Sequence, residues 1–368
     1  MRIVRISCYA LNATKSRPVQ LSIGRRMLEV ENLFIRLETD TGMTGWGEAS
    51  PFEPITGDSQ ASNIAAAKHL AAIVKGNDPR EIDRLVSTLY GLTAGEPSIL
   101  SAFDMALHDL AARAADVPLY LYLGGTKRAL RTDRTISLCD GVDASIAKAE
   151  ELIGAGIREI KIKTGRSGLQ DIEHIKAVRA TVGEEVAITI DSNGAWDLAA
   201  AIANISAMEK FNVCYSEQPL PRWNIVGLAE LRRKVSVPIC ADESAFDDKD
   251  ALRLIKADAI DYLNIKLGKS RGIATALRIN AICEAAGKAC MIGCFAESRL
   301  GLTAAAHLAM AKTNIRFLDL DSARGLPFDP IFGGAVFNYD CGGIITLDDG
   351  PGLACDVDYN SVSEVFSL

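Results

Sequence analysis

The chain has 368 residues, 40 Lys and Arg against 47 Asp and Glu for a net charge of −7, with 48% hydrophobic and 24% charged residues. That composition excludes a disordered or fibrous protein, and the acidic balance excludes a nucleic-acid coat, which needs a basic excess. At about 100–200 residues per domain, the length fits two or three domains or one barrel with an appendage.

The nine cysteines are odd in number, irregularly spaced and without a CxxC pair. This argues for reduced thiols in the cytoplasm and against a secreted disulfide framework. The first 17 residues alternate apolar and polar and read as a strand, not as a signal peptide. No apolar run reaches about 18 residues, so no membrane span is expected.

In chain order, Arg2–Ile6 and Leu33–Leu37 alternate as strands, Asp40-Thr41-Gly42 supplies a turn, and residues 14–28 read as a loop. Residues 59–125 are Ala- and Leu-rich and helical, ending at Leu123-Gly124-Gly125. This first third reads as a small α+β unit. From Thr132 onwards, eight short β-branched runs alternate with helical segments: Arg134–Leu138, Glu159–Lys163, Val186–Asp191, Val213–Glu217, Pro238–Asp242, Tyr262–Lys266, Ala289–Cys294 and Arg316–Leu320. Such alternation implies parallel βαβ units, and eight of them close a barrel. The competing open doubly wound sheet lacks its glycine-rich phosphate loop.

Charged residues recur near the strand ends at one-unit spacing: Lys163 to Asp191 is 28 residues, Asp191 to Glu217 is 26, Glu217 to Asp242 is 25, and Asp242 to Lys266 is 24. In a parallel barrel those ends share one mouth. Three acids meeting there, Asp191, Glu217 and Asp242, repel one another unless a cation or lysines neutralise them. An all-oxygen set favours magnesium over zinc, and Asn193 and Glu243 are expected beside it. Lys161 and Lys163 share one face of a strand. Their mutual repulsion and burial are expected to lower a lysine pKa and make Lys163 a base. Lys266 comes from the opposite side of the mouth, as a second base would. Asp319 and Asp321 also share a face and suit a cationic substrate group, or else a salt bridge or a helix start. The four histidines fall in helical segments without ligand spacing.

These residues sit in motifs, GWGEA at 45–49, KIK, IDSN, SEQP, ADES and NIKLGKSRG, that together resemble the enolase superfamily in its muconate-lactonizing-enzyme subgroup. Within it, the chain is most similar to dipeptide epimerases, through Asp319-Leu320-Asp321 and ITGDS at 55–59. The resemblance implies a (β/α)7β barrel over 126–321. An α+β capping domain would be built from 1–125 and a returning segment 322–368. It implies one Mg2+ on Asp191, Glu217 and Asp242, with Lys163 and Lys266 as the catalytic bases. The substrate ammonium would lie on Asp319 and Asp321, with Thr135, Lys161, Cys294 and Ser298 against the substrate. Arg25 stands where relatives acting on Ala-Glu carry an arginine, yet its neighbours Gly24, Arg26 and Glu53 differ.

The implied reaction is inversion of the C-terminal α-carbon of an Ala-Xaa dipeptide, with a small, hydrophobic, polar or Glu second residue. The alternatives are an o-succinylbenzoate synthase or cycloisomerase on the same scaffold, or a non-catalytic amino-acid- or peptide-binding barrel. The expected partners are a small dipeptide and further copies of the chain, not nucleic acid or a membrane.

Overall fold

A computed structural model describes residues 1–20, 26–93, 95–166 and 168–368, without the side chains of 17–20, 26 and 27. Three antiparallel strands open the chain: β1 (Ile3–Gln20), β2 (Arg26–Thr39) and β3 (Thr44–Ala49). The C-terminal strand Ser363–Ser367 adds to the free edge of β1, so the two chain ends share one sheet. Of the loop expected over 14–28, residues 14–20 and 26–28 belong to strands, with Thr14 paired to Glu29, Val19 to Met27 and Gln20 to Arg26, and 21–25 lie outside the described residues. The register shifts between Thr14 and Val19, around Pro18. A bulge tolerates a residue lacking its N–H, and it also interrupts the alternation that sequence reading relies on.

Alternate residues of this sheet, among them Ile3, Ile6, Cys8, Leu33, Ile35 and Leu37, pack on α1 (Gln60–Val74), α2 (Ile82–Leu92) and α3 (Pro97–Ala114). Helix α3 lies against β3 so closely that a Cβ at Gly47 would fall 1.9 Å from the Ala102 carbonyl oxygen. Only glycine permits that approach.

The barrel strands are β4 (Arg134–Ile136), β5 (Glu159–Lys163), β6 (Ala187–Asp191), β7 (Val213–Glu217), β8 (Ile239–Ala241), β9 (Tyr262–Ile265), β10 (Ala289–Ile292) and β11 (Ile315–Leu318). They pair in parallel and in strict chain order. The first and last are tied just outside the ladder. The Asp133 N–H donates to Leu318 O at 2.8 Å, and the Leu320 N–H donates to Thr132 Oγ1 at 2.8 Å. Among the described residues seven helices separate the eight strands: α4 (Val142–Gly154), α5 (Gly168–Val182), α6 (Leu198–Met208), α7 (Ile225–Lys234), α8 (Asp248–Lys256), α9 (Ile273–Ala285) and α10 (Arg299–Ala311). A 3-10 turn, Ser322–Gly325, follows β11 in place of an eighth helix. The architecture is therefore the expected α/β (β/α)7β barrel with an antiparallel cap.

Two carboxylates of the first unit dock it on the barrel by occupying helix N-termini, where backbone N–H groups need acceptors. Asp104 accepts the Ile273 N–H at 2.6 Å, capping α9, whose own N-cap residue Gly272 has no side chain to offer. Glu48 accepts the Ser298 and Gly301 N–H groups, both at 2.8 Å, at the start of α10. Among the described residues no helix is long and apolar enough to cross a membrane, and all nine cysteines are free thiols.

Candidate active site

Parallel pairing brings the expected acids side by side. Asp191 is in direct register with Glu217 across β6 and β7. Glu217 pairs with Cys240 on β8, which puts Asp242 two residues further along the same face. All three are fully buried. Asn193 and Gln218 adopt left-handed φ values of 44° and 36° just after two of them. In that turn the Asn193 N–H reaches back to Asp191 Oδ1 at 2.9 Å, and Gln218 Oε1 accepts the Asp242 N–H at 2.9 Å.

Each acid has a lysine counter-ion. Lys163 donates to Asp191 and, at 3.1 Å, to Asn193 Oδ1. Lys161 lies 2.8 Å from Glu217 Oε2 and 2.5 Å from Asp319 Oδ2, linking two of the acidic groups. Lys266 lies 2.7 Å from Asp242 Oδ2 and 4.8 Å from the Phe295 ring centroid. Two further residues, not singled out in the sequence, complete this floor. Lys269 is fully buried, 2.9 Å from Asp242 Oδ1, and donates to the carbonyls of Asp242, Ala245 and Asn264. Asn264 donates to Glu217 Oε1 at 2.7 Å. Lys269 lies three residues after Lys266 in NIKLGKSRG, a spacing that gave no sign of its inward course.

The expectation that burial and like charge depress a lysine of the Lys161–Lys163 pair fails for Lys161, and Lys266 across the mouth behaves as Lys161 does. Burial does act downwards, but the surrounding carboxylates outweigh it and raise both. The acids divide. Burial, then repulsion from Asp191 and Asp242, raises Glu217 against the pull of Lys161. Asp242 is held low, because Lys266 and Lys269 overcome its burial. Glu243, which accepts from Asn193 Nδ2 at 3.0 Å, is pushed up to about 8 by burial and by Asp242 and Asp191. Both Asp242 oxygens and Glu217 Oε2 are buried without an aligned hydrogen bond, although ammonium groups stand nearby. Hard oxygen lone pairs in a mutually repelling trio fit a divalent cation such as Mg2+.

Above this floor is a cavity of about 610 Å³. Lys163, Lys266, Asn193 and Glu243 line its deep side, Thr135, Cys294, Asp319 and Asp321 another wall, and Phe52 and Ile55 of the cap its roof. Phe52 packs on Phe295 with ring centroids 5.9 Å apart. Cys294 Sγ and carboxylate oxygens of Asp319 and Asp321 all lie within 4.8 Å of one another. Asp319 pairs with Lys161, not Lys266, and Asp321 accepts the Thr135 N–H at 3.3 Å.

Lys161 lies beneath the cavity wall, not on it. Ser298, expected against the substrate, is also off the wall: fully buried, it donates its hydroxyl to Glu48 Oε2 at 2.8 Å. Its chain neighbour Glu297 is also buried and off the wall. Arg25 lies outside the described residues. The four histidines are all helical, and three have hydrogen-bond partners away from the cavity: His108 with Asp104 O, His174 with Ser145 and His307 with the Tyr120 N–H.

Glu297 accepts the Phe295 N–H at 2.5 Å, and burial, with Glu48 nearby, pushes its carboxyl up to about 7. The folded pKa lies above the ordinary 4.5, so the folded state holds the proton more tightly. That contribution to stability is complete below pH 4.5 and disappears as pH rises through 7, a loss of roughly 3 kcal/mol. Glu297→Gln is therefore expected to melt higher than the parent at pH 8 and to show a flatter pH dependence between 5 and 8. Parallel thermal melts of the two proteins that kept the same offset at both pH values would refute this.

The chain matches the mandelate racemase / muconate lactonizing enzyme N-terminal domain over residues 5–124 and the enolase C-terminal domain-like family over residues 144–361. A hydrophobic dipeptide epimerase of Enterococcus faecalis is 37% identical over 88% of this chain and 91% of its own. A D-Ala-D/L-Ala epimerase of Cytophaga hutchinsonii is 35% identical over 96% and 95%. The crystal structure of a dipeptide epimerase from Cytophaga hutchinsonii, complexed with Mg and the dipeptide D-Ala-L-Val, superposes with a TM-score of 0.95 at 34% identity, covering 100% of both chains.

Proposed function

Since the chain belongs to the mandelate racemase / muconate lactonizing enzyme family of the enolase superfamily, we propose that it is a Mg2+-dependent dipeptide epimerase inverting the C-terminal α-carbon of Ala-Xaa dipeptides. One observation carries the reading. Two lysines face the same cavity from β5 and β9, four strands apart in a barrel of eight, and the acid pair Asp319 and Asp321 lines it with them.

In this reading the substrate ammonium lies on Asp319 and Asp321. Its carboxylate lies over Asp191, Glu217 and Asp242, which hold the cation. When bound, the divalent ion offsets charge that develops on the carboxylate oxygens as the α-proton leaves. One of the two lysines facing the α-carbon acts as a neutral amine. That amine, Lys163 or Lys266, accepts the α-proton on its own face. The opposite ammonium delivers a proton to the other face, so one proton leaves, one returns and the centre inverts. Lys161 ties Glu217 to Asp319 and so fixes the spacing between cation and ammonium positions. Phe52, Ile55 and Phe295 exclude water from the roof. The second residue of the dipeptide is small, hydrophobic, polar or Glu, and assembly into a homo-oligomer belongs to the same reading.

A library of L,L- and L,D-dipeptides incubated in D2O with Mg2+ tests it. Ala-Xaa members are expected to gain one mass unit and to epimerize. Formation of o-succinylbenzoate from its precursor, with no dipeptide gaining mass, would overturn the proposal in favour of the synthase.

A further inference from the structure

Six basic side chains line the cavity: Lys15, Arg134, Lys148, Lys163, Lys266 and Arg324. Five stand within ion-pair distance of a carboxylate. Lys163 and Lys266 meet Asp191 and Asp242, Arg134 meets Asp321 at 3.6 Å, Lys148 meets Glu151 at 2.6 Å, and Arg324 meets Asp340 at 3.1 Å. Among the described residues, Lys15 alone of the six has neither an ion pair nor a hydrogen bond. Yet it is only 7% exposed.

Its position follows from the cap. Strand β1 carries Lys15 over the turn after β11, and the Ser16 hydroxyl donates to Gly325 O at 3.4 Å. The Lys15 ammonium rests on Gly325, where an added Cβ would come within 3.2 Å of Nζ. The turn it rests on, Ser322–Gly325, directly follows Asp321, which puts Lys15 beside the Asp319–Asp321 wall of the cavity. A largely buried lysine without a partner is destabilising, and burial accordingly lowers this one. A ligand carboxylate beside it would remove that cost and form a charge-assisted hydrogen bond.

We infer that Lys15 is a binding site for a carboxylate on the side chain of the N-terminal residue, so that dipeptides beginning with Asp or Glu are the preferred substrates. This rests on the epimerase reading and extends its first position beyond alanine. With the substrate ammonium on Asp319 and Asp321 and the reacting α-carbon between the lysines, the side chain nearest Lys15 is that of the first residue. Aspartate or glutamate there places its anion against the unpaired cation, while its own ammonium takes the acid pair.

The test compares Glu-Ala, Gln-Ala, Ala-Ala and Ala-Glu as substrates of the Mg2+-loaded enzyme, with kcat and KM taken separately. Calorimetry of Glu-Gly and Gln-Gly binding reads recognition without turnover. The expected result is a kcat/KM for Glu-Ala at least tenfold above that for Gln-Ala, carried by KM, and tighter binding of Glu-Gly. Lys15→Met should erase the ratio and Lys15→Arg should retain it. Should Lys15→Met fail to fold, the parent enzyme's Glu-to-Gln ratio still decides. Equal values for Glu-Ala and Gln-Ala, a preference for Ala-Glu over Glu-Ala, or an unchanged ratio in Lys15→Met would each overturn the inference. Exchange of Ala-Ala without any acidic preference sinks Lys15's role alone. If no dipeptide exchanges, the epimerase reading fails, whatever the binding data show.

Discussion

Replacing either Lys163 or Lys266 with methionine lowers epimerization by roughly 10²–10⁴-fold, the usual contribution of a positioned acid or base. Methionine drops only the terminal ammonium from the side-chain length, and neither substitution unpairs the floor completely: without Lys266, Asp242 keeps Lys269 at 2.9 Å, and without Lys163, Asp191 still accepts from Asn193. The two losses differ in stereochemistry. The lysines approach from strands four apart in the closed order, so each reaches one face of the α-carbon. With one removed, the remaining lysine can still abstract a proton from the configuration that presents it and return a deuteron to the same face. Each variant should therefore wash deuterium into one diastereomer without inverting it, and the two variants should select opposite diastereomers. Chiral chromatography with mass detection in D2O reads both quantities. Full inversion by either variant, or exchange of the same diastereomer by both, would rule out the two-base geometry.

Much of this site is legible in the sequence because a parallel barrel repeats locally. One strand and one helix per unit put Asp191, Glu217 and Asp242 at a spacing that foretells their meeting, and strand alternation gives Asp319 and Asp321 a common face. What escapes has no local period. The Glu48 contacts with Ser298 and Gly301 span about 250 residues and join two units, so Ser298 reads as a pocket residue until its hydroxyl is seen on Glu48. Lys269 and Lys15 look like surface lysines in sequence. Each is buried by the course of a loop or strand whose path depends on tertiary packing. The pKa expectation for Lys161 fails for a related reason. Its like-charged neighbour, Lys163, is two residues away in sequence, whereas the acids that outweigh burial, Asp319 and Glu217, come from distant strands.

Adding Mg2+ to metal-free protein should raise its melting temperature, by an amount that grows with concentration as the logarithm of binding. At a hundredfold excess over Kd this corresponds to about 2.7 kcal/mol. The physical basis is the charge on the floor. Asp191, Glu217 and Asp242 are buried together, and burial, then their repulsion, holds the Glu217 carboxyl above its ordinary value. A divalent cation replaces that repulsion with attraction and requires Glu217 ionised, so binding should release protons and weaken as pH falls. Glu217→Gln keeps the shape and the acceptor for Asn264 but removes one of three charges. It should melt near or above the parent without metal, since a buried anion raised by its neighbours is gone, and should lose most of the Mg2+-dependent shift. The same variant should lose exchange activity, as should the parent after chelation, with activity restored in the parent alone by added Mg2+. A calorimetric titration in which Glu217→Gln binds Mg2+ as tightly as the parent would place the cation elsewhere. The unaligned oxygens of Glu217 and Asp242 would then need another explanation.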